Sequence, residues 1–138
     1  MYPAELVAPM AKELTDHGFT GLTTAEEVVN ALENQEGTTM VVVNSVCGCA
    51  AANARPGARL AMSHDATPNN VYTVFAGVNP EATAKAREYL LPYPPSSPSI
   101  ALFKDGKLVH FIERHHVEGH SAEVIAGNLV MAFDKYCK

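Results

Sequence analysis

Two cysteines separated by a single glycine are the residues of this chain best suited to chemistry. Cys47-Gly48-Cys49 follows a β-branched run and precedes a run of alanines, which predicts a strand, a turn carrying both thiols, and a helix. The unpaired N–H groups and positive dipole of a helix start favour thiolate over thiol. We therefore predict Cys47 to be the more exposed and more acidic nucleophile, and Cys49 to be its partner thiol.

The spacing of the pair predicts its redox behaviour. A disulfide across one intervening residue closes a smaller ring than one across two, and a strained disulfide is easier to reduce. Gly48 relaxes the backbone at this point. We expect a couple that is less reducing than a Cys-x-x-Cys pair, and that suits exchange with mixed disulfides, isomerisation or disulfide formation.

Two other interpretations of the cysteine pair remain open. Both thiolates could bind zinc or copper, but four-coordinate zinc needs two further ligands, for which the candidates are His110, His115, His116 and His120. Alternatively, both cysteines are small buried residues without a chemical role. We favour the redox interpretation, with no metal at the site.

Composition and charge limit the class of protein. The 138 residues are 47% hydrophobic and 18% charged, which is typical of one globular domain spanning residues 1–138. The net charge of -5 argues against nucleic-acid and membrane-surface partners. The longest apolar run, residues 129–133, is far shorter than the ~20 residues of a membrane span.

The start of the chain and the cysteine count predict the compartment. The first residues, MYPAE, contain no basic segment followed by an apolar one, so we expect no secretory signal and a cytosolic location. Three cysteines do not make a disulfide framework, and a reducing cytosol favours catalytic or metal-binding thiols. Cys137 is predicted to be an exposed or loosely packed thiol near a frayed end.

The hydrophobic periodicity predicts alternating helices and strands. Helices are predicted over residues 3–16, 24–37, 50–62, 79–91 and from Ser121 onward, and strands over residues 38–43, 71–76, 100–103 and 108–112. The strand–helix–strand units predict right-handed parallel crossovers, and Asp105-Gly106 predicts an antiparallel hairpin. This order favours an α/β three-layer sandwich with a mixed sheet and an extra N-terminal helix.

Prolines and polar residues near the cysteines supply further predictions. Pro9 and Pro56 should kink or limit their helices. Asn44 and Ser45 could hydrogen-bond the thiolate or cap the helix. Arg55 could bind a carboxylate of a small thiol or pair with a surface acid, and we favour the surface pairing.

The loop at Pro98 precedes the strand at 100–103, and local sequence alone predicts an ordinary strand-start proline there. The stretch PSIALFKDGK, residues 98–107, nevertheless looks like the cis-proline strand and hairpin of thioredoxin-fold proteins.

Three segments resemble the bacilliredoxin family closely: VVVNSVCGCAAANARPG, TVFAGVNPEATAKAREYL and PPSSPSIALFKDGKLVHFIERHHVEGH. The similarity extends over nearly the whole chain. Its most specific mark is the Cys-Gly-Cys turn followed by Ala50 and Arg55-Pro56.

The resemblance implies a thioredoxin-like fold and an enzyme of thiol–disulfide exchange. It implies removal of bacillithiol from mixed disulfides on cytosolic proteins, with weak disulfide-isomerase activity, bacillithiol as co-substrate and no prosthetic cofactor. Cys47 would attack, Cys49 would be its partner, and Pro98 would be a cis-proline facing them. We predict substrate contacts from Pro98 and from Ser97, Asn44 and Arg55.

Overall fold

The computed structural model describes residues 2–33 and 36–138, and a five-stranded sheet forms its centre. Along the sheet the strand order is β1-β3-β2-β4-β5. The strands are β1 (Thr20–Gly21), β2 (Thr38–Asn44), β3 (Asn70–Phe75), β4 (Ser99–Lys104) and β5 (Lys107–Ile112). β3 pairs in parallel with β1 on one side and with β2 on the other. β4 runs antiparallel to β2, and β5 runs antiparallel to β4. The predicted mixed sheet with an antiparallel hairpin at its edge is confirmed.

Helices cover both faces of this sheet. They are α1 (Ala4–Thr15), α2 (Ala25–Leu32), a π-helical segment (Ala50–Ala54), α3 (Arg55–Ala61), α4 (Pro80–Glu88), α5 (Arg114–Val117) and α6 (Ala122–Tyr136). Every residue of β2 is buried. Its alternate side chains serve two cores: Met40 and Val42 join α3 and α6, whereas Val41 and Val43 join α2 and α4. The three-layer α/β/α prediction is confirmed.

Local capping signals account for the start of α2 and α6. Thr24 closes a capping box with Glu27, and the Ser121 hydroxyl accepts a hydrogen bond from the Val124 N–H. Asn79 occupies the predicted cap position before Pro80, but its side chain makes no capping bond. Pro80 favours a helix start in another way, because it fixes its own φ and the N–H that it lacks would have no partner inside the helix.

Prolines act differently in the two helices that contain them. α1 runs through Pro9 without a break, so of the two predicted alternatives, a kink or a helix start at this residue, the start is excluded. Before Pro56 the backbone widens into the π-helical segment, and α3 begins at Arg55. Pro56 therefore lies in the first turn of α3, where its missing N–H removes the least.

The periodicity missed two short elements. β1 has two residues and α5 has four, and neither is long enough to show a hydrophobic period. α5 follows the hairpin directly and starts at Arg114. No helix among residues 2–33 and 36–138 has both the length and the apolar content needed to cross a bilayer.

We expect that Gly57→Ala will destabilise the protein by about 1–3 kcal/mol, because a Cβ at this buried position would lie 2.7 Å from Ile125 Cγ2 and 3.1 Å from the Ala122 carbonyl. Gly127→Ala is the matched control, since it lies on exposed α6 surface with nothing within 4 Å, and should stabilise by about 0.5–1 kcal/mol. Urea unfolding measures both. Equal effects of the two substitutions would contradict close packing of α3 on α6.

Candidate active site

Cys47 lies where the chain leaves the sheet and begins to coil. Its carbonyl accepts hydrogen bonds from the N–H groups of Ala50 (2.9 Å) and Ala51 (3.3 Å), so helical turns start immediately after it. Its Sγ accepts a hydrogen bond from the Cys49 N–H at 3.4 Å, as a helix-capping side chain does. The predicted placement of both thiols at a helix start is confirmed.

The pKa values of the two thiols are shifted in opposite directions. The pKa of Cys47 is lowered by hydrogen bonds from the Cys49 thiol and backbone N–H, and further by the Arg114 charge. The pKa of Cys49 is raised, first by burial and then by the neighbouring Cys47 sulfur. Both thiols are free and partly exposed. The first proton therefore leaves Cys47, and the nucleophile and partner roles of the two cysteines stay predictions.

Arg114 is a site residue that the sequence did not reveal. Its Nη2 donates to Cys47 Sγ at 3.4 Å, its Nη1 donates to the Ser97 carbonyl at 3.2 Å, and its Nε donates to Glu118 Oε1 at 2.6 Å. Arg114 is 67 residues from Cys47 in sequence. No local pattern could have linked the two, since the contact depends on where the hairpin and α5 return.

The loop before β4 is linked to the Cys47 thiol by the Arg114 guanidinium. The Ser97–Pro98 peptide is cis, as the resemblance implied. The Ser97 carbonyl accepts from Arg114, and Ser99 Oγ donates to the Ser96 carbonyl at 3.2 Å. Ser97 and Cys47 therefore share one cation, and the predicted substrate contacts of Ser97 and Pro98 stay predictions.

Arg55 is buried beneath the turn, and not on the surface as the favoured interpretation had it. It is 1% exposed. Its Nη1 donates to Asn44 Oδ1 and to the Ser45 carbonyl, both at 2.9 Å, and its Nη2 lies 3.2 Å from Glu13 Oε2. Pairing with an acid was predicted correctly. The guanidinium is buried between β2 and α3, and it links Asn44 at the end of β2 to Arg55 at the start of α3.

Asn44 and Ser45 contact the backbone of the turn. Asn44, also 1% exposed, accepts from the Ser45 N–H at 2.8 Å and donates to the Met10 carbonyl at 3.3 Å. Ser45 Oγ accepts from the Cys47 N–H at 2.9 Å. These hydrogen bonds go to backbone groups and not to the Cys47 sulfur. Substrate contacts of Asn44 and Arg55 stay predictions, and both residues hold the turn.

The histidines do not complete a thiolate metal site. Among the described ranges, the only cluster of at least three possible ligand side chains is Glu113, His115 and His116, and it includes no cysteine. His110 Nε2 lies 2.6 Å from Asn128 Oδ1. The zinc or copper interpretation of Cys47 and Cys49 therefore gains no third ligand from the part of the chain described.

Cys137 ends α6 with its backbone N–H bonded to the Phe133 carbonyl at 2.7 Å. The side chain is half-buried against the core, and burial raises its pKa. It is therefore a less reactive thiol than Cys47.

The fold and site define a thiol–disulfide oxidoreductase of the thioredoxin fold. A solved structure titled as a putative oxidoreductase with a thioredoxin fold superimposes with a TM-score of 0.66 at 14% identity, covering 85% of this chain and 95% of that one. The chain belongs to the disulphide isomerase family, which matches residues 2–137.

Curated relatives named bacilliredoxin are similar along their whole length. One from Cytophaga hutchinsonii is 61% identical, covering 98% of this chain and 99% of the relative. Bacilliredoxin BH1716 from Halalkalibacterium halodurans is 54% identical, covering 99% and 95%.

We expect Arg114→Gln to move the pH profile of Cys47 alkylation to higher pH. The substitution removes a positive charge beside the thiolate, so the Cys47 pKa rises and less thiolate exists at neutral pH. Iodoacetamide labelling followed by mass spectrometry measures the profile, with Arg114→Lys as the charge-retaining control. An unchanged profile in Arg114→Gln would contradict the assigned contact.

Arg55→Lys should lower stability by about 2–4 kcal/mol, because an ammonium cannot reproduce the forked bonds to Asn44 and the Ser45 carbonyl. Thermal unfolding measures this loss. Arg59→Lys, on the same helix and bonded to His17 at 2.9 Å, is the control and should stay within about 0.5 kcal/mol of wild type. Equal losses in the two variants would show that the buried brace has no special role.

Proposed function

We propose that this protein removes bacillithiol from mixed disulfides on cytosolic client proteins. The observation that carries the proposal is the partly exposed Cys47 sulfur, whose pKa is lowered by Cys49 and Arg114. A thiolate is the species that attacks disulfides. The bacilliredoxin names of relatives 54–61% identical along nearly the full chain support bacillithiol as the small thiol.

The first step is an exchange in which the client is freed. The Cys47 thiolate attacks the bacillithiol sulfur of the client's mixed disulfide, and a bond forms between Cys47 and bacillithiol. The client sulfur leaves with the electron pair of the broken bond and takes a proton from water. The Arg114 guanidinium compensates the negative charge at Cys47 before the attack.

Two routes then release the small thiol. In one, a second bacillithiol thiolate attacks the sulfur of the bound bacillithiol, which regenerates the Cys47 thiolate and yields oxidised bacillithiol. In the other, Cys49 loses its proton and attacks Cys47, which expels bacillithiol and leaves an internal disulfide for an external thiol to reduce. Burial raises the Cys49 pKa and disfavours this second route at neutral pH.

The remaining residues divide between contact and support. We assign client contacts to Ser97 and Pro98, since Ser97 is joined to the thiol by Arg114. Asn44 and Arg55 hold the turn that carries Cys47 through their buried hydrogen bonds. The same exchange chemistry, with a protein disulfide as substrate, would give the isomerase activity for which the family is named.

The test uses one client protein carrying a bacillithiol mixed disulfide. Cys47→Ser should reduce release of bacillithiol at least 100-fold, to the uncatalysed rate, because no attacking thiolate remains. Cys49→Ser should retain the first step and accumulate a bacillithiol adduct on Cys47, which excess bacillithiol then clears. Rapid-quench mass spectrometry follows the client and the enzyme together.

Cys137→Ser is the matched control and should release bacillithiol at the wild-type rate, since its thiol is half-buried with a raised pKa. Equal release by wild type and Cys47→Ser would overturn the proposal. Stoichiometric metal on the reduced protein in native mass spectrometry, lost in the Cys47→Ser/Cys49→Ser variant, would favour the metal-binding alternative.

A further inference from the structure

A cleft of about 390 Å³ opens beside Cys47. Its walls include the cysteine itself, Ser97, Gly77 and two arginines, Arg87 and Arg114. Cavities from about 300 Å³ upward hold small molecules, so a low-molecular-weight thiol fits in this space more readily than a folded client does.

The charge of the cleft is one-sided. It is lined by two guanidinium groups and by no carboxylate of the described residues. The Arg114 guanidinium is already occupied by protein groups, because its three nitrogens donate to Cys47, Ser97 and Glu118. Arg87 is therefore the cation in the wall that is left to meet a ligand.

Arg87 has no counter-charge in the part of the chain described. Its Nε is buried without a hydrogen-bond partner, and burial lowers its pKa with no acid to offset the effect. The acid next to it on α4, Glu88, pairs with Lys85 at 3.1 Å. A half-buried guanidinium without an anion is unfavourable, and a carboxylate is the anion whose two oxygens match its fork.

We infer that Arg87 is a specificity-determining residue that binds a carboxylate of the low-molecular-weight thiol while the sulfur of that thiol exchanges at Cys47. The inference rests on the proposed function, and it adds a requirement for negative charge on the small thiol. Arg87 lines the cleft, whereas Arg55 is enclosed at 1% exposure.

The experiment compares two mixed disulfides on the same client protein. One carries bacillithiol, and the other carries bacillithiol whose carboxylates are methyl esters. Wild type should prefer the acid to the ester about tenfold in kcat/KM, mainly through KM, because a charge-assisted hydrogen bond is lost with the ester. Arg87→Gln should lower kcat/KM for the acid about tenfold and leave the ester unchanged.

Three controls separate this role from support of the fold. Arg87→Lys keeps a charge and should restore part of the preference. Arg59→Gln, remote from the cleft, should keep all of it. Arg87 is not among the groups that shift the Cys47 pKa and iodoacetamide is uncharged, so the alkylation rate of Cys47 should be the same in Arg87→Gln and wild type.

Each outcome has a distinct meaning. Equal turnover of acid and ester by wild type, or equal losses for both in Arg87→Gln, would overturn the inference and leave the proposed function standing. Failure of wild type to release either small thiol would overturn the proposed function itself. A preference that follows an acidic residue beside the client cysteine, when that residue is changed to its amide, would assign the carboxylate to the client and overturn the inference.

Discussion

A buried guanidinium fixes the turn on which the reactive sulfur sits. Arg55 bonds the side chain of Asn44 and the carbonyl of Ser45 and pairs with Glu13 of the first helix. Ser45 in turn accepts from the Cys47 N–H. The end of the central strand, the start of the helix and the first helix thus meet at one cation. Both terminal nitrogens of Arg55 have partners, and only its Nε has none. Since breaking these bonds would leave a buried charge uncompensated, the turn has little freedom to rearrange.

The chemistry arises from a difference between two thiols that lie two residues apart. Cys47 is stabilised as a thiolate by donors from Cys49 and by Arg114, whereas burial keeps the proton on Cys49. Each contribution is local and modest. Together they favour loss of the first proton from Cys47, and the thiolate is the form of cysteine that attacks disulfides.

The charged residues that line the site differ in sign from the net charge of the molecule. The chain carries a net charge of -5, yet the cleft beside Cys47 is walled by Arg87 and Arg114 and by no described acid. Net charge governs long-range association. Selection of a small ligand depends on the few groups within hydrogen-bond reach, so an acidic protein can hold a site for an anion.

The sequence by itself predicted most of the elements and the position of both thiols at a helix start. The β-branched run at 38–43, the capping residues Thr24 and Ser121, and the Asp105-Gly106 turn are local signals, because each depends on neighbours within a few residues. The same holds for thiols placed at a helix start. Family resemblance added the cis peptide before Pro98, which no local signal predicts.

Only the tertiary structure decided what surrounds the thiol. Arg114 contacts Cys47 although 67 residues separate them in sequence. Arg55 was expected at the surface but is enclosed. Arg87 lines the cleft from α4. The local sequence shows whether a side chain is charged, but it does not predict which distant element will bury that side chain. Burial and counter-charge depend on contacts between distant segments, and these determine the acidity of the thiol and the ligand it meets.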